Sequence, residues 1–369
     1  LEHLVSIDIG GTTTDIGEVR DGAVREDRHG QVEGVAVSFP LCNVISVGVG
    51  GSSIIKVGAD GAIQVGPESV GSAPGPACFG LGGTLATITD AFLLTGLLDP
   101  ASFFGGELKI DAERARGAIA THVAAPLRIA EEAAAARMEQ AWVAKVAASI
   151  QAFTPVGPHT TLAAFGGAGP FVVCRVAEAA GISRVLIPGL AAVFSAFGLG
   201  FSDIAHTYEA AIAAGEDLGA CTANLLQRAR RGMHAEGFAL DTCEVERSLR
   251  LVTPEGERVL PLADVLPTPA TGERMFVSLT VRRSIAQPGL RGRFGAAATP
   301  AVSKAKRRVI VDDRTRELPL YRVEDQGAGA SAAGPAVLEE AFFTCRIDAG
   351  WRFEVNDAGD VLLTHDVKA

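Results

Sequence analysis

A chain of 369 residues, 48% hydrophobic and only 21% charged, is long and apolar enough to bury a sizeable core in two or three domains. Its formal charge of −10 argues against a nucleic-acid partner, which needs clustered Lys and Arg, and no apolar run is long enough for a bilayer span, so neither nucleic acid nor membrane is expected. The opening residues do not read as a signal peptide. The six scattered cysteines form no C-x-x-C pair, so the expectation is a cytoplasmic protein with reduced, buried thiols and no zinc clip.

In chain order, Val5, Ile7 and Ile9 alternate with Ser6 and Asp8, which predicts a strand with Asp8 on the face opposite the apolar residues. Gly10, Gly11 and Thr12 turn the chain into a second strand through Ile16 and Val19. Asp21-Gly22 then marks a hairpin turn. Strands are expected at 44–49 and 54–57, with a Gly-Gly-Ser-Ser turn between them. Residues 66–83 hold six Gly and three Pro, so neither helix nor ladder should persist there, and irregular loops of this length are usually functional. Helices are predicted over 90–98, 111–123 and 129–153. A short strand at 162–165 enters Gly166-Gly167-Ala168-Gly169-Pro170, and the helix that follows stops at Gly181. A strand at 185–187 and an apolar helix at 196–204 come next.

Composition shifts near Gly215. An Arg-rich amphipathic helix is expected over 217–238, followed by strands at 245–252, 258–262, 276–281, 307–311 and 336–338. The boundary falls near 215 or 240. This gives an α/β lobe over 1–215, then a C-terminal helix plus a mostly β domain over 216–369.

One turn carries chemistry. In Asp8-Ile9-Gly10-Gly11-Thr12-Thr13-Thr14-Asp15, a Gly-Gly turn presents successive backbone N–H groups to an anion. The hydroxyls of Thr12, Thr13 and Thr14 add donors for phosphate oxygens. Asp8, at the strand end, is placed to hold a hydrated Mg²⁺ beside them. A glycine pair between strands is by itself most often a plain hairpin; two flanking Asp and three Thr favour phosphate. No Gly precedes a Lys, so there is no P-loop, and no complete G-x-G-x-x-G opens a helix after a strand. The seven His make no metal pair at helical spacing.

The residues 8–15 resemble the internal D-x-G-G-T-[ST]-T-D turn of the hydantoinase A/oxoprolinase family. Four further stretches agree in order: Gly48 to Ile54 (G-V-G-G-S-S-I), the Gly/Pro loop at 65–83, A-F-G-G-A-G-P at 164–170, and 195–206. Gly334-Pro335-Ala336 and Gly350-Trp351 are similar to the family's C-terminal signals. The likeness is strong to about 210, poor from 215 to 300 and modest from 305 to 365.

That resemblance implies a ribonuclease-H-like lobe of the actin/sugar-kinase type. It also implies ATP with Mg, used to phosphorylate the oxygen of a cyclic amide such as 5-oxoproline or hydantoin, or of a ketone in carboxylating relatives. Asp8, Gly10, Gly11, Thr12, Thr13, Thr14 and Asp15 would then form the phosphate side of the site. Gly166, Gly167 and Gly169 would form the adenosine side, against the plainer reading of a strand-to-helix turn. Family members carry a further D-x-G-G-T turn in an N-terminal lobe, so a companion lobe or subunit, an oligomer, and no turnover by this chain alone are the expectations. Polar positions depart from the family: Asn43 stands for an Asp after Pro40, Phe92 for an Asn, Val172 for a His, and residues 251–254 for R-Y-x-G-Q. A cyclic-amidase subunit, a ketone-carboxylase subunit and a non-catalytic scaffold therefore all stay open.

Overall fold

The computed structural model describes residues 2–27, 31–32, 35–37, 41–253, 256–285 and 292–366. Two compact units emerge, Leu1–Phe197 with Leu290–Ala369, and Gly198–Gly289. The composition shift suggested a single boundary, near 215 or 240, instead. The chain after 290 rejoins the first unit because its last strand pairs with Arg184–Ile187, a partnership that local composition does not encode.

The first unit starts with β1 (His3–Ile9), whose alternate residues are buried and half-buried, with Asp8 among the latter. It turns into the antiparallel β2 (Thr14–Arg20). Asp21 and Gly22 take φ of 51° and 78°, the two positive values a tight hairpin turn needs, at the hairpin read from the sequence, and pair Val19 with Val24. β3 (Val44–Val47) lies on β2. β4 (Ser53–Val57) and β5 (Ile63–Ser69) form a separate hairpin. Pairing thus runs further than the Gly/Pro content suggested, although the ladder is irregular between Val65 and Ser69, where Pro67 has no N–H to donate.

α1 (Ile88–Leu94) begins on a capping box in which Thr87 Oγ1 accepts from Asp90 N and the Asp90 carboxylate accepts from Thr87 N. α2 (Ala112–Ile119) and α3 (Glu131–Phe153) follow, and α3 buries Met138, Trp142, Val146 and Ile150 along one stripe. β6 (Thr160–Phe165), buried almost throughout, lies parallel to β1. α4 (Val173–Ala180) ends at Gly181, φ 83°, and β7 (Arg184–Ile187) lies parallel to β6.

The second unit comprises β8 (Ile204–Ile212), α5 (Leu218–Ala235), β9 (Glu244–Thr253), β10 (Gly256–Pro261) and β11 (Arg274–Arg283). Its sheet is antiparallel, in the order β8–β11–β9–β10. Leu225, Ala229 and Met233 of α5 join its core with Leu249, Leu251, Val277 and Leu279. The helix expected over 196–204 is observed as Phe194–Leu199. Ile204 instead opens β8, where pairing with β11 overrides the helical bias of an Ala-rich stretch.

Back in the first unit come β12 (Ala305–Val311), β13 (Arg314–Arg322), β14 (Ala330–Ala333), β15 (Ala336–Glu340), β16 (Phe343–Ile347), β17 (Trp351–Val355) and β18 (Val361–His365). β12, β13, β15 and β16 make a four-stranded sheet. β14, β17 and β18 extend the central sheet in the order β14–β17–β18–β7–β6–β1–β2. It is ten-stranded once β3 and the short pieces Ala23–Val24 and Thr299–Pro300 are included.

Candidate functional site

Three loops converge at the end of β1. The first is the β1–β2 turn, closed by Gly10 N donating to Thr13 O at 3.0 Å. The second precedes β4: Gly51 N donates to Gly10 O at 2.9 Å, and Ser52 N donates to Gly11 O. The third follows β6, where Ala168 N donates to Ile9 O at 2.9 Å. These contacts require glycine at two places. A Cβ on Gly50 would lie 2.7 Å from Gly11 O, and one on Gly166 (φ 81°) would lie 2.4 Å from Asp8 Oδ1.

Asp8 is half-buried, accepts a hydrogen bond from Ser195 Oγ, and sits directly opposite Asp15 in the β1–β2 register. Like charges directly opposite on a strand pair repel, so the pair is suited to a cation. Thr12 is exposed, with Oγ1 3.2 Å from Ser69 Oγ. Thr13 is half-buried, and Thr14 is turned inward. The Thr14 hydroxyl is fully buried and donates to Val49 O at 2.6 Å, so it does not face the ligand side.

The turn opens on a chamber of about 410 Å³. Gly10, Gly11 and Thr12 form one wall, and Phe79, Phe103, Phe104 and Phe171 form much of another. A second chamber of about 410 Å³ shares Phe103, Phe104, Gly167 and Phe171 and also carries Asp99, Ser102 and Glu339. Arg307 holds both carboxylates there, at 3.0 Å from Asp99 and 3.1 Å from Glu339. Of the three glycines in the A-F-G-G-A-G-P loop, only Gly167 is exposed, and it borders both chambers. Gly166 and Gly169 are buried and serve close packing; a Cβ on Gly169 would lie 2.1 Å from Phe165 O.

Sequence reasoning assigned no role to Ser52, Thr89, Phe103, Phe104 or Ser195. Ser52 and Ser195 fall inside stretches that carry the family resemblance, a usable signal. Phe103 and Phe104 lie in a segment with no periodicity, which gave none. The departures at 92 and 172 are core positions: Phe92 and Val172 are buried, with the Phe92 ring 5.0 Å from Phe171 and 6.4 Å from Trp142. Asn43 is half-buried and its N–H donates to Arg25 O at 2.8 Å; Pro40 lies outside the described residues. Arg250 is buried and bonds Glu209 and Glu257, and Pro254 lies outside the described residues.

Cys78, Cys174 and Cys345 are buried, Cys221 and Cys243 half-buried and Cys42 exposed. Burial pushes the Cys78 and Cys174 thiols well above their usual range. Among the described residues, no cluster of three or more His, Cys, Asp or Glu is placed to hold a metal, and no helix is long and apolar enough to cross a membrane.

These features define a mixed α/β protein with large sheets and a mostly strand-built C-terminal region. The hydantoinase/oxoprolinase family model matches residues 1–208, and the chain belongs to that family. It is 33% identical over 260 residues to the acetophenone carboxylase gamma subunit of Aromatoleum aromaticum, covering 65% of this chain and 35% of that protein. Nucleotide-free acetone carboxylase, from work on ATP-dependent acetone carboxylation, shares the fold with a TM-score of 0.83 at 22% identity, over 99% of this chain and 58% of that one. The ATP-dependent caprolactamase of Pseudomonas jessenii aligns with a TM-score of 0.78 at 26% identity, over 100% of this chain and 59% of that one. The chain therefore spans 35% to 59% of the length of these relatives.

Proposed function

We propose that this chain is the nucleotide-phosphate lobe of an enzyme that uses ATP to activate the oxygen of a cyclic amide. The observation that carries the reading is the turn at 10–12, which forms one wall of a chamber of small-molecule size and joins the two strands on which Asp8 and Asp15 stand opposite each other. The strand order β3–β2–β1–β6–β7, in which only β2 runs against the others, supports assigning the lobe to the ribonuclease-H-like, actin/sugar-kinase type.

Gly10, Gly11, Thr12 and Thr13 would cradle the phosphates, while Asp8 and Asp15 would hold Mg²⁺. The donor set fits, since Mg²⁺ is usually bound by one or two carboxylates together with substrate phosphates and water. Bound there, the ion would neutralise charge on the transferring phosphoryl group. Gly167 and the second chamber, with Asp99 and Glu339 on its wall, would lie on the adenosine side.

The amide oxygen attacks the γ-phosphorus, the bond to the β–γ bridging oxygen breaks, and its electron pair leaves with ADP. Water adds to the activated carbon, and the C–N bond then breaks with its pair on nitrogen. A second water hydrolyses the resulting acyl phosphate. A companion lobe or subunit would complete the clamp. The exposure of Phe104, Val193 and Phe342 around the chambers supports such a partner.

Two other roles have support of their own. The similarity to a ketone carboxylase subunit favours a carboxylase role, and the apolar side chains at 92 and 172 favour a non-catalytic scaffold. The test is hydrogen exchange at residues 10–14 with and without Mg-ADP or Mg-ATP. Protection that weakens in Asp8→Ala is expected; a turn that exchanges equally at saturating nucleotide would rule the phosphate role out.

A further inference from the structure

The chamber against the turn has an unusual lining for a site beside phosphates. Among the described residues that line it, none carries a charge: the polar groups are the hydroxyls of Thr12, Ser52, Ser72 and Thr89. Thr89 is already committed, donating to Gly51 O at 2.8 Å. The rest of the wall is glycine, Ala168 and phenyl rings. Phe103 stands 5.9 Å from Phe79 and 4.9 Å from Phe104 between ring centroids, and Phe171 is backed by Phe92. Phe104 is 56% exposed and has φ 50° and ψ 48°, a left-handed conformation costly for a bulky side chain. Such strain is typical of side chains that clamp a ligand. Phe104 lines both chambers, as do Phe103, Gly167 and Phe171, and of these four it alone has the strained left-handed backbone of a bulky residue.

An acceptor oxygen must come within about 3–3.5 Å of the phosphorus it attacks, so the acceptor belongs in the chamber that touches the turn. A nucleoside base is held away from the terminal phosphoryl group by the ribose and two further phosphates, and the second chamber is the one left for it. A substrate carboxylate in the first chamber would lose hydration beside phosphate charge with no cationic side chain among the lining residues, whereas an uncharged ring would gain apolar burial against four phenyl groups.

We infer that this chamber takes an uncharged carbonyl compound with a planar, apolar body, an aryl ketone or an unsubstituted lactam. It discriminates against cyclic amides that carry a carboxylate, with Phe104 the specificity-determining residue. The assignment rests on the phosphate-turn reading given above, and among the amide and ketone substrates of the two catalytic readings it selects the uncharged ones.

Fluorine NMR titration of the chain in Mg-ADP tests it, using 1-(4-fluorophenyl)propan-1-one against 4-fluorobenzoate. The ketone should bind at least about tenfold more tightly than the benzoate, a lower bound for the cost of burying one unpaired charge. δ-Valerolactam should displace it and 5-oxoproline should not. Phe104→Ala, and the milder Phe104→Leu, should weaken the ketone by a larger factor than they weaken Mg-ADP, the latter read as protection at 10–14. Equal binding of ketone and benzoate, or displacement by 5-oxoproline, would overturn the inference. So would a Phe104→Ala variant that loses ADP and keeps the ketone, since the chamber would then hold the base. Ketone selectivity with no nucleotide protection at 10–14 would support the chamber's assignment and sink the phosphate reading alone.

Discussion

Arg346 is 2% exposed, and everything around it is arranged to keep it charged. Its guanidinium bonds Glu139 of α3 through both terminal nitrogens, one at 3.0 Å, and Asp348 at 3.0 Å. Arg175 adds a bond to Glu139 at 3.1 Å. Burial alone would make Arg346 easier to deprotonate, but the two carboxylates more than reverse that. Burial also lifts the Asp348 carboxyl above its usual range despite both arginines. Removing one partner of such a network leaves uncompensated buried charge, so Arg346→Met is expected to cost about 3–5 kcal/mol, read from urea unfolding. Glu139→Gln on that background should recover part of the loss; a double variant less stable than the single would refute this account. No sequence pattern marks this pair, because its members lie 207 positions apart and Glu139 sits among ordinary helix-surface charges. The β1–β2 turn was legible as a turn for the opposite reason: Asp8, Gly10, Gly11 and Thr12 fall within five positions, so the pattern is local. The aromatic wall was not, since Phe79, Phe103 and Phe171 meet only in the fold.

The β1–β2 hairpin is pinned at the end away from its turn by Glu18, which is 3% exposed. It accepts from Thr154 Oγ1 at 2.8 Å, Arg20 Nε at 2.6 Å and Arg25 Nη1 at 3.4 Å, and lies 2.9 Å from His3 Nε2. Burial pushes its carboxyl up, but the Thr154 hydroxyl and the two arginines outweigh it and hold the group below the usual range. The folded state therefore takes up this proton less readily than the unfolded chain. The stabilisation is fully present above the unfolded value, about 4.3, and is lost as pH falls through the lower folded one. Urea midpoints measured from pH 6 downward should decline through that window, and Glu18→Gln should be less stable at pH 6 with a shallower acid slope. An unchanged slope would show that another group carries the effect. At this scale the early strands, the Asp21-Gly22 hairpin turn and α3 followed their sequence patterns. β8 did not, because an Ala-rich stretch is held extended by β11, and several short strands from β13 onward did not either. β16 is buried at every position, so it has no alternation to read.

The whole chain is one unit interrupted by another, and the interruption has the means to fold by itself. Residues 198–289 are of ordinary domain size. Their core is closed among themselves: Leu225, Ala229 and Met233 of α5 meet Leu249, Leu251, Met275, Val277, Leu279 and Val281 of the sheet. The inner strands β9 and β11 pair along nearly their full length, and the edge strand β10 is exposed at every residue, as an edge that needs no cover should be. Inside the sheet, Arg250 is buried between Glu209 of β8 and Glu257 of β10 with its guanidinium 4.6 Å from the Phe276 ring centre, so its charge partners also belong to this unit. A polypeptide of residues 198–289 alone should therefore give a single cooperative thermal transition and the circular dichroism of a helix on an antiparallel sheet. Arg250→Leu should lower its midpoint by leaving Glu209 and Glu257 without their buried cation. The central sheet makes the opposite demand: β7 needs β18, so a chain ended at residue 289 should lose the cooperative unfolding of the first unit while 198–289 keeps its own. A fragment 198–289 that is unfolded by circular dichroism, or a chain ended at 289 whose first unit still melts cooperatively, would contradict the division of the molecule into these two units.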